Sequence, residues 1–415
     1  MTTTAPAIGR IQRRTVLFLT LAQIFSGIAT GAAFSVGSLL AVDLSGSEAW
    51  AGSVSTTVTL GAAIASALLI RLAVARGRRI TLSTGLAAAL VGALLMILAA
   101  ATRQFWLLLL ASLLVGAGTS VNLQARFAAT DLSEPRHRGR DLSLIVWMST
   151  VGSVAGPNLI GPGESLADAI GIPALSGVFV ISAVAMVLGL LVIWIGLRPD
   201  PLLLARELEP AGTAPARPSF RDGLRALARY RRAGGGLIAM LVAHFSMVAV
   251  MAMTPVHLLH HGAEVTVIGL TISLHIAGMF ALSPVMGLLA DRLGPISVAV
   301  GGMAITVAAV LIAGFSGADA TVTTIGLVLL GVGWSAATVA GSTAVVDAVP
   351  RDVVVAAQGV ADTTMSLAGA LGGVLSGIVL AWVGYAGLGI VCAILAIVAV
   401  PVIVVVMRAA RPRVD

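Results

Sequence analysis

The sequence predicts an all-α integral membrane protein with twelve transmembrane helices in two pseudo-symmetric six-helix bundles. Three observations lead to this fold class. The 415 residues are 58% hydrophobic and only 10% charged, with a mean hydropathy of +1.04, whereas soluble chains carry about 25% charged residues. Apolar runs long enough to cross a bilayer recur along the chain. The arginines fall almost entirely in every second gap between these runs.

The apolar runs come in two sets of six, and each run has roughly the 20 residues that a helix needs to cross the hydrocarbon core. The first set lies at 16–42, 51–71, 80–101, 105–129, 142–160 and 174–197. The second set lies at 235–259, 266–289, 296–316, 322–346, 354–382 and 386–407. We therefore expect an N-terminal bundle over 1–197, a cytoplasmic linker over 198–234 and a C-terminal bundle over 235–415.

The distribution of arginine predicts the orientation of the chain. If the N-terminus is cytoplasmic, every arginine except Arg103 falls on the cytoplasmic side of the predicted spans. Basic loops stay on that side during insertion, so this bias fixes the topology. We expect a multi-pass protein of a cell inner membrane or plasma membrane, with both termini cytoplasmic. Because aromatic residues are only 4% of the chain and the arginines lie between apolar runs, the net charge of +7 does not indicate a nucleic-acid partner.

The linker contains one amphipathic stretch. Its first part, Pro210 to Pro218, is rich in proline and alanine and predicts an irregular connection. Its second part predicts a helix capped by Ser219. We expect Phe220, Leu224, Leu227 and Ala228 on one face and Arg221, Arg225, Arg229 and Arg232 mostly on the other. Such a helix is typical of one that lies on anionic lipid, although a solvated linker helix is the alternative.

Near-constant offsets relate the two sets of apolar runs. Gly294 follows Gly77 by 217 positions, and Gly369 follows Gly152 by the same 217 positions. The glycines of the eleventh run, Gly369 among them, are interpreted as packing residues. These offsets indicate a duplicated six-helix unit, for which a substrate site in the cleft between the halves is expected. This organisation favours a transporter over a channel or a membrane enzyme.

One polar octet, Gly287-Leu288-Leu289-Ala290-Asp291-Arg292-Leu293-Gly294, separates two apolar runs. Gly294 supplies the unusual backbone angle that a tight turn requires. The octet resembles the signature loop of the major facilitator superfamily, Gly-x-Leu-Ala-Asp-Arg-x-Gly. This resemblance implies a rocker-switch transporter with alternating access. It also implies a cytoplasmic gate, in which the acid of the loop holds the inside face shut against the start of a helix in the opposite half.

The first-half counterpart of the octet, Ile70 to Gly77, lacks the first glycine and the acid, because Ile70 and Val74 stand in their places. We therefore expect a one-sided gate in which Asp291 acts at the start of helix 5, near its two arginines. A solvated charge at the turn is the alternative. The expected gate residues are Gly287, Asp291, Arg292, Gly294, Arg138 and Arg140.

Helix 5 carries Gly152, Gly156, Pro157 and Gly161. These four residues resemble the helix-5 signature of proton-coupled drug antiporters, Gly-x-x-x-Gly-Pro-x-x-Gly-Gly, although Ile160 replaces one glycine. Glycines four residues apart allow two helices to pack closely, and a proline bends the helix. The helix-4 signature of many such transporters is not matched, since Ser112 stands where a buried arginine is expected.

Asp362 is the strongest candidate for proton coupling or cation binding. It lies eleven residues past Arg351, which is roughly 15 Å into the eleventh run at 1.5 Å per residue. A charge at mid-bilayer costs about 2.5–3.5 kcal/mol, so an acid placed there indicates function. A carboxyl that is hydrogen-bonded to neighbouring helices is the alternative. His244 and His275, which also lie within predicted spans, are the next candidates, because histidine titrates near neutral pH.

Three histidines at the outer end of helix 7 raise a second possibility. His257, His260 and His261 have the spacing of one helix face, which suits a metal site, and methionines such as Met247 precede them. Interfacial histidines and an adaptable hydrophobic pocket are the alternative explanation. The expected substrate-cleft residues are Gln23, Trp147, Asn158, Met247 and Trp334.

The sequence favours a secondary transporter that exports small lipophilic compounds in exchange for protons by alternating access. The alternative is a transporter of metal ions or metal complexes, and a third class is a membrane-embedded sensor or assembly factor. The chain has no Walker sequence, so ATP does not drive it directly. Its single cysteine, Cys392, excludes an intrachain disulfide. We expect no enzyme activity, no cofactor and a monomer, with a small-molecule substrate, protons and the lipid bilayer as partners.

Overall fold

The computed structural model describes residues 5–133, 138–208, 219–350 and 353–408, and the regular structure of these residues is helical throughout. The first seven helices are α1 (Ala5–Ser45), α2 (Ser53–Thr102), α3 (Phe105–Ala128), α4 (Arg138–Asn158), α5 (Ile160–Ile170), α6 (Gly177–Gly196) and α7 (Pro201–Leu208). The next seven are α8 (Phe220–Arg229), α9 (Arg231–His260), α10 (Val265–Ala281), α11 (Ser283–Leu293), α12 (Pro295–Gly314), α13 (Ala320–Ala348) and α14 (Val354–Arg408). The proline-rich part of the predicted linker, 210–218, lies outside the described residues.

The chain divides into two compact units. The first comprises Met1–Gly46 and Thr57–Ala214, and the second comprises Ser47–Thr56 and Pro215–Asp415. The division at residue 214 falls inside the stretch that the sequence predicts as a linker. The grouping of Ser47–Thr56 with the second unit is not evident from the sequence. It follows from packing, because Thr56 donates a hydrogen bond to the carbonyl oxygen of Ala370 at 3.1 Å.

Several glycines with positive φ lie between helical segments, and three of them mark corresponding turns or breaks within long helices. Gly77 (φ 81°, ψ 178°) divides α2, and Gly384 (φ 70°, ψ −175°) divides α14. Gly294 (φ 83°, ψ 150°) ends α11, so the angle predicted for the octet is confirmed. A side chain disfavours these backbone angles, which glycine adopts freely. The nearly equal φ angles of Gly77 and Gly294 place similar turns at positions that the sequence relates by a constant offset.

Ten helical stretches among the described residues are long and apolar enough to cross a membrane. One of these, Ala356–Arg408, contains the break at Gly384 and therefore provides two passes. The helix predicted at 142–160 is not among the ten. It begins earlier, at Arg138, with a charged first turn, and it continues beyond a break as α5. With these two adjustments the described helices account for the twelve predicted passes.

The break between α4 and α5 occurs at Leu159, where φ is −88° and ψ is 6°. Its position has a simple cause. Pro162 has no N–H group, so it cannot bond to the carbonyl oxygen of Asn158, four residues earlier, as a continuous helix requires. The helix predicted at 142–160 therefore becomes two shorter helices, which extend to Ile170.

Small residues set the close helix contacts inside each unit. In the first unit, Gly152 of α4 lies directly against the carbonyl oxygen of Ile24 in α1. In the second unit, Gly236 of α9 and Gly341 of α13 lie backbone to backbone. Such contacts are the usual basis of helix association in a bilayer, where lipid removes the hydrophobic driving force between helices. The packing fixes the helices that carry the candidate site residues.

Candidate functional site

The centre of the second unit contains a polar contact between two helices. The indole N–H of Trp334 in α13 donates a hydrogen bond to Nδ1 of His244 in α9 at 2.9 Å. The neutral imidazole therefore carries its proton on Nε2. Trp334 also meets Phe280 of α10 edge to face, with ring centroids 5.7 Å apart. The structure thus brings together His244 and Trp334, which the sequence predicts as separate candidates.

Because Gly369 of α14 has no side chain, the imidazole of His244 can pack against the backbone at this position. A Cβ atom at position 369 would lie 2.8 Å from both Cδ2 and Nε2 of the imidazole. Real Cβ contacts are longer than this, so a larger residue would displace the ring. The sequence assigns Gly369 to packing alone, whereas the structure gives it a place beside an ionisable group. We call His244, Phe280, Trp334 and Gly369 the His244 cluster.

Asp362 lies on the same helix as Gly369, seven residues earlier. Residues seven apart share a helix face, and at 1.5 Å per residue they are about 10 Å apart along the axis. Since Gly369 faces His244, Asp362 lies on the side of α14 that faces the His244 cluster. Asp362 is half-buried and lies eight residues after the start of α14. Among described helices of the second unit, Asp362 is the only acid more than two turns from a helix end.

The hydroxyl groups around Asp362 are engaged by the helix backbone. Thr363 donates to the carbonyl oxygen of Gly359 at 2.8 Å, and Thr364 donates to that of Val360 at 2.9 Å. Ser366 donates to the backbone carbonyl oxygen of Asp362 itself, also at 2.9 Å. These bonds satisfy the hydroxyl protons inside α14.

His275 occupies a different position from His244. Its Nδ1 lies 2.6 Å from the carbonyl oxygen of Leu327 in α13, to which it donates, and the side chain is fully buried. Its Nε2 has no hydrogen-bond partner among the described residues. Gly331 packs against the backbone carbonyl of His275 at the same helix contact. The imidazole thus joins α10 to α13, and its role in proton coupling stays a prediction.

The three outer histidines have different partners. His257 is buried and stacks on Tyr385, with ring centroids 4.1 Å apart. His261 lies against His257 at 4.4 Å, whereas Nε2 of His260 lies 3.7 Å from a carboxylate oxygen of Glu48. In the part of the chain that the structure describes, no group of three or more His, Cys, Asp or Glu side chains could hold a metal ion. Met247 is buried within α9.

The cleft candidates of the first unit divide into buried and exposed residues. Gln23 is 1% exposed and donates to the carbonyl oxygen of Asn122 at 3.1 Å. Its Oε1 has no partner among the described residues, so it can still accept a hydrogen bond. Trp147 is 55% exposed, and Asn158 is also exposed, with its amide bonded to the carbonyl oxygen of Val154 at 2.9 Å.

The helix-5 glycines hold α4 against α1. A Cβ atom on Gly156 would collide with the carbonyl oxygen of Ile28, as one on Gly152 would with that of Ile24. The contact is reciprocal, since Gly31 of α1 lies against the ring of Pro157. Gly161 is half-buried in α5. The motif therefore sets the distance between two helices of the first unit, which is a structural role compatible with transport.

The octet forms the end of α11 and the turn that follows. Asp291 and Arg292 are exposed, and a Cβ atom on Gly287 would meet open space. The proposed partners of Asp291 cannot be described, because the side chains of Arg138 and Arg140, at the start of α4, lie outside the described part of the chain. The gate assigned to these residues stays a prediction.

The corresponding turn of the first unit contains an acid that the sequence comparison missed. The carboxylate of Asp200 accepts a hydrogen bond from the backbone N–H of Arg79 at 2.7 Å and lies against Gly77. It also caps α7, because it accepts from the N–H groups of Leu202 and Leu203 at 3.1 and 3.2 Å. Ile70–Gly77 itself carries no acid, as the sequence shows, but Asp200 supplies one to this turn from a later segment. An aspartate followed by Pro201 is a helix-start signal that could have revealed it.

An ion pair next to this turn was also missed. Arg78 donates to both carboxylate oxygens of Asp131, at 2.8 and 3.1 Å, and to Gln124 at 3.1 Å. Burial raises the pKa of Asp131 above its usual value, although the hydrogen bond and the charge of Arg78 act in the opposite direction. The sequence offered no signal for this pair beyond the basic residues that follow the turn. Together Asp200 and Asp131 connect the turn to α3 and α7.

Comparison with known proteins agrees with this architecture. The family model of the Major Facilitator Superfamily matches residues 19–264 and 236–415. YdeG, an MFS-type transporter of Bacillus subtilis (strain 168), is 36% identical over 395 residues, which are 95% of this chain and 92% of YdeG. The riboflavin transporter RfnT of Brucella anthropi is 27% identical over 331 residues, which are 78% of each chain.

A solved structure shows the same fold. The crystal structure of a bacterial homolog of the human lysosomal transporter Spinster, inward-facing and unoccupied, has a TM-score of 0.71 to this chain. Its sequence is 16% identical, and the match covers 98% of this chain and 96% of that one. At this identity the likeness concerns the fold alone. The substrate must therefore be argued from the residues of this chain.

Proposed function

We propose that this chain, which belongs to the Major Facilitator Superfamily, exports small lipophilic compounds in exchange for protons. Its family membership makes it a multi-pass secondary transporter of small molecules, and it is not an enzyme. Proton coupling, the direction of transport and the kind of cargo are the parts that we propose. The observation that supports them most directly is the placement of Asp362 on the face of α14 that contacts His244.

A carboxyl group in this position can bind and release a proton during transport. Placing an ionised carboxylate within the bilayer costs about 2.5–3.5 kcal/mol, so an acid at this depth indicates a function that offsets the cost. When a helix moves and changes the exposure of the carboxyl group, its proton affinity changes as well. His244 lies against Gly369, which is about 10 Å from Asp362 along the axis of α14. It can assist, because its Nε2–H is not the group bonded to Trp334. Asp362 is thus the proposed proton carrier and His244 the proposed auxiliary group.

The residues next to the carboxyl group favour a lipophilic cargo. Trp334 and Phe280 present aromatic surface, and Met247 adds an adaptable apolar side chain on α9. The helix-5 resemblance to drug antiporters points in the same direction. A metal cargo has no comparable support, because no group of three or more metal-ligating side chains occurs among the described residues. Gln23, with its unbonded oxygen, is the proposed polar contact in the first unit.

The arginine bias supports the remaining parts of the proposal. It favours a cytoplasmic location for both termini, the linker 198–234 and the octet turn, in a cell inner membrane or plasma membrane. The proposed bundles remain 1–197 and 235–415, and the proposed transporting species is a monomer. Asp291 is proposed as the acid of the cytoplasmic gate. Nothing in this scheme requires a nucleic-acid partner.

Proteoliposomes that contain a trapped pH-sensitive dye test the function. The purified protein is reconstituted, a pH gradient is imposed, and a panel of lipophilic cations such as ethidium and tetraphenylphosphonium is compared with nucleosides and divalent metals. We expect at least one lipophilic cation to move against protons and an uncoupler to abolish the movement. Transport that persists after uncoupling, or transport of divalent metals alone, would contradict the proposal.

A further inference from the structure

We infer that α8 is a binding site for anionic phospholipid headgroups and that it transmits their presence to α14. The helix begins after its cap, Ser219, and a single non-helical residue, Tyr230 (φ −93°, ψ 96°), separates α8 from the spanning helix α9. It is thus attached directly to a transmembrane segment, at the level where that segment begins. This position places α8 at the membrane surface.

One side of α8 is cationic. Arg221, Arg225 and Arg229 are all exposed, and they follow one another at four-residue intervals, which places them along one stripe of the helix. Arg221 and Arg229 make no ion pair with any residue that the structure describes, and Arg225 approaches Asp222 at 3.5 Å. Two further exposed arginines, Arg231 and Arg232, begin α9. Five guanidinium groups within twelve residues form a strong site for phosphate oxygens.

A second side of α8 is apolar and uncovered. Phe220 is 55% exposed and Leu224 is 51% exposed, one helical turn apart. At 3.6 residues per turn this stripe lies directly beside the arginine stripe. A helix with adjacent apolar and basic stripes lies in a lipid interface with its apolar side chains among the acyl chains and its arginines at the headgroups. The sequence predicts this arrangement for four apolar residues, but Leu227 is buried against the protein instead.

The third side of α8 is fixed to the start of α14. Gly223 lies so close to the carbonyl oxygen of Ala356 that a Cβ atom would collide with it. Ala226 and Leu227 join a buried cluster with Ala357 and Val360. The N-terminus of α8 is held by a capping box, in which Ser219 and Asp222 exchange hydrogen bonds. The helix is therefore a formed element that rests on α14 without a side chain between the two backbones.

The contact lies close to Asp362. Ala356 precedes Asp362 by six residues on the same helix, which is about 9 Å. Headgroups that hold α8 at the membrane surface therefore also hold the first turns of α14. We expect anionic lipid to slow the local unfolding of residues 356–362 in α14, whatever the transported compound is. This expectation does not depend on the proposed cargo or on proton coupling.

Lipid binding is measured on the purified full-length protein by native mass spectrometry, with phosphatidylglycerol or phosphatidylcholine added. The variant R221Q/R229Q is compared with R71Q/R76Q, which removes two exposed arginines of the first unit and the same charge. An arginine at an anionic membrane surface contributes about fivefold in affinity. We expect R221Q/R229Q to weaken phosphatidylglycerol binding by about 25-fold. R71Q/R76Q should weaken it much less, because residues five apart do not share one stripe of a helix and so do not form a single headgroup site. Equal losses in the two variants, or equal binding of phosphatidylcholine, would overturn the site.

Hydrogen exchange in nanodiscs tests the connection to α14. In the wild-type protein we expect the amides of 356–362 to exchange more slowly with phosphatidylglycerol than with phosphatidylcholine. In R221Q/R229Q this difference should disappear, while the exchange of α12 stays unchanged, since α12 contributes no residue to the described buried cluster around Ala226 and Leu227. A difference that persists in the variant, or one that is absent from the wild-type protein, would overturn the transmission to α14.

Discussion

Trp334 donates its indole N–H to Nδ1 of His244 at 2.9 Å, and Gly369 leaves room for the imidazole on the neighbouring helix. Three helices of the second unit, α9, α13 and α14, therefore meet at one ionisable ring. The hydrogen bond fixes which nitrogen of His244 is an acceptor. It also leaves the other nitrogen as a proton donor on the side of α14, the helix that carries Asp362.

The first prediction concerns this hydrogen bond. Trp334→Phe removes the donor and leaves Nδ1 of His244 without a partner, which should lower the free energy of unfolding by about 1–3 kcal/mol. The control is Trp382→Phe, because Trp382 is 83% exposed and lies on α14 in the same unit. Unfolding by SDS titration measures both variants. An equal effect of the two substitutions would show that the hydrogen bond contributes nothing.

The second prediction concerns the packing of α4 on α1. Gly156→Ala places a methyl group on the carbonyl oxygen of Ile28 and should cost about 1–3 kcal/mol through forced separation of the helices. Gly301→Ala in α12 is the matched control, since a Cβ atom there meets open space. That control should be neutral or stabilising by up to about 1 kcal/mol, because alanine favours helix. If Gly156→Ala is as stable as the control, the close contact is not required.

The third prediction concerns Asp200. Asp200→Ala removes the acceptor for Arg79 and the cap of α7, and loss of a cap costs about 0.5–2 kcal/mol. We expect faster hydrogen exchange at residues 79 and 202–203. Asp168→Ala removes an exposed acid of the same unit and serves as the control. Unchanged exchange at residue 79 in Asp200→Ala would contradict the assigned hydrogen bond.

The fourth prediction concerns the proposed gate. Asp291→Asn keeps the size of the side chain and removes its charge, so it should favour the inward-open state if this acid holds the cytoplasmic side shut. Single cysteines placed on the cytoplasmic side should then react faster with a water-soluble maleimide. The native Cys392 is buried and should give little background. Labelling rates identical to those of the wild-type protein would remove Asp291 from the gate.

The sequence predicted most of the fold because membrane spans depend on local composition. Lipid requires long apolar helices, and turns at the surface need residues such as Gly294 whose angles other residues avoid. The break at Leu159 follows from a proline three residues later, so it was available from the local sequence. One other detail was not predictable from local composition. The placement of Ser47–Thr56 in the second unit depends on contacts with residues more than 300 positions away.

The candidate site was harder to predict because it depends on contacts between distant residues. His244 and Trp334 could each be selected as unusual residues in an apolar helix, but their hydrogen bond joins positions 90 residues apart. Asp200 was missed because the motif expects an acid inside the loop itself. Asp200 instead comes from another part of the chain, 121 residues from its partner Arg79. A motif identifies a residue by its neighbours in sequence. It cannot identify a carboxylate that belongs to a distant segment of the chain.

The fifth prediction tests the central claim, that the carboxyl group of Asp362 couples transport to protons. Uptake of a lipophilic cation is measured in proteoliposomes, once driven by a pH gradient and once as substrate exchange without a gradient. Asp362→Asn should reduce gradient-driven transport to background and retain exchange, because the amide cannot release a proton. Asp347→Asn, which alters an exposed acid at the end of α13, should retain both activities. Gradient-driven transport by Asp362→Asn at the wild-type rate would contradict the account.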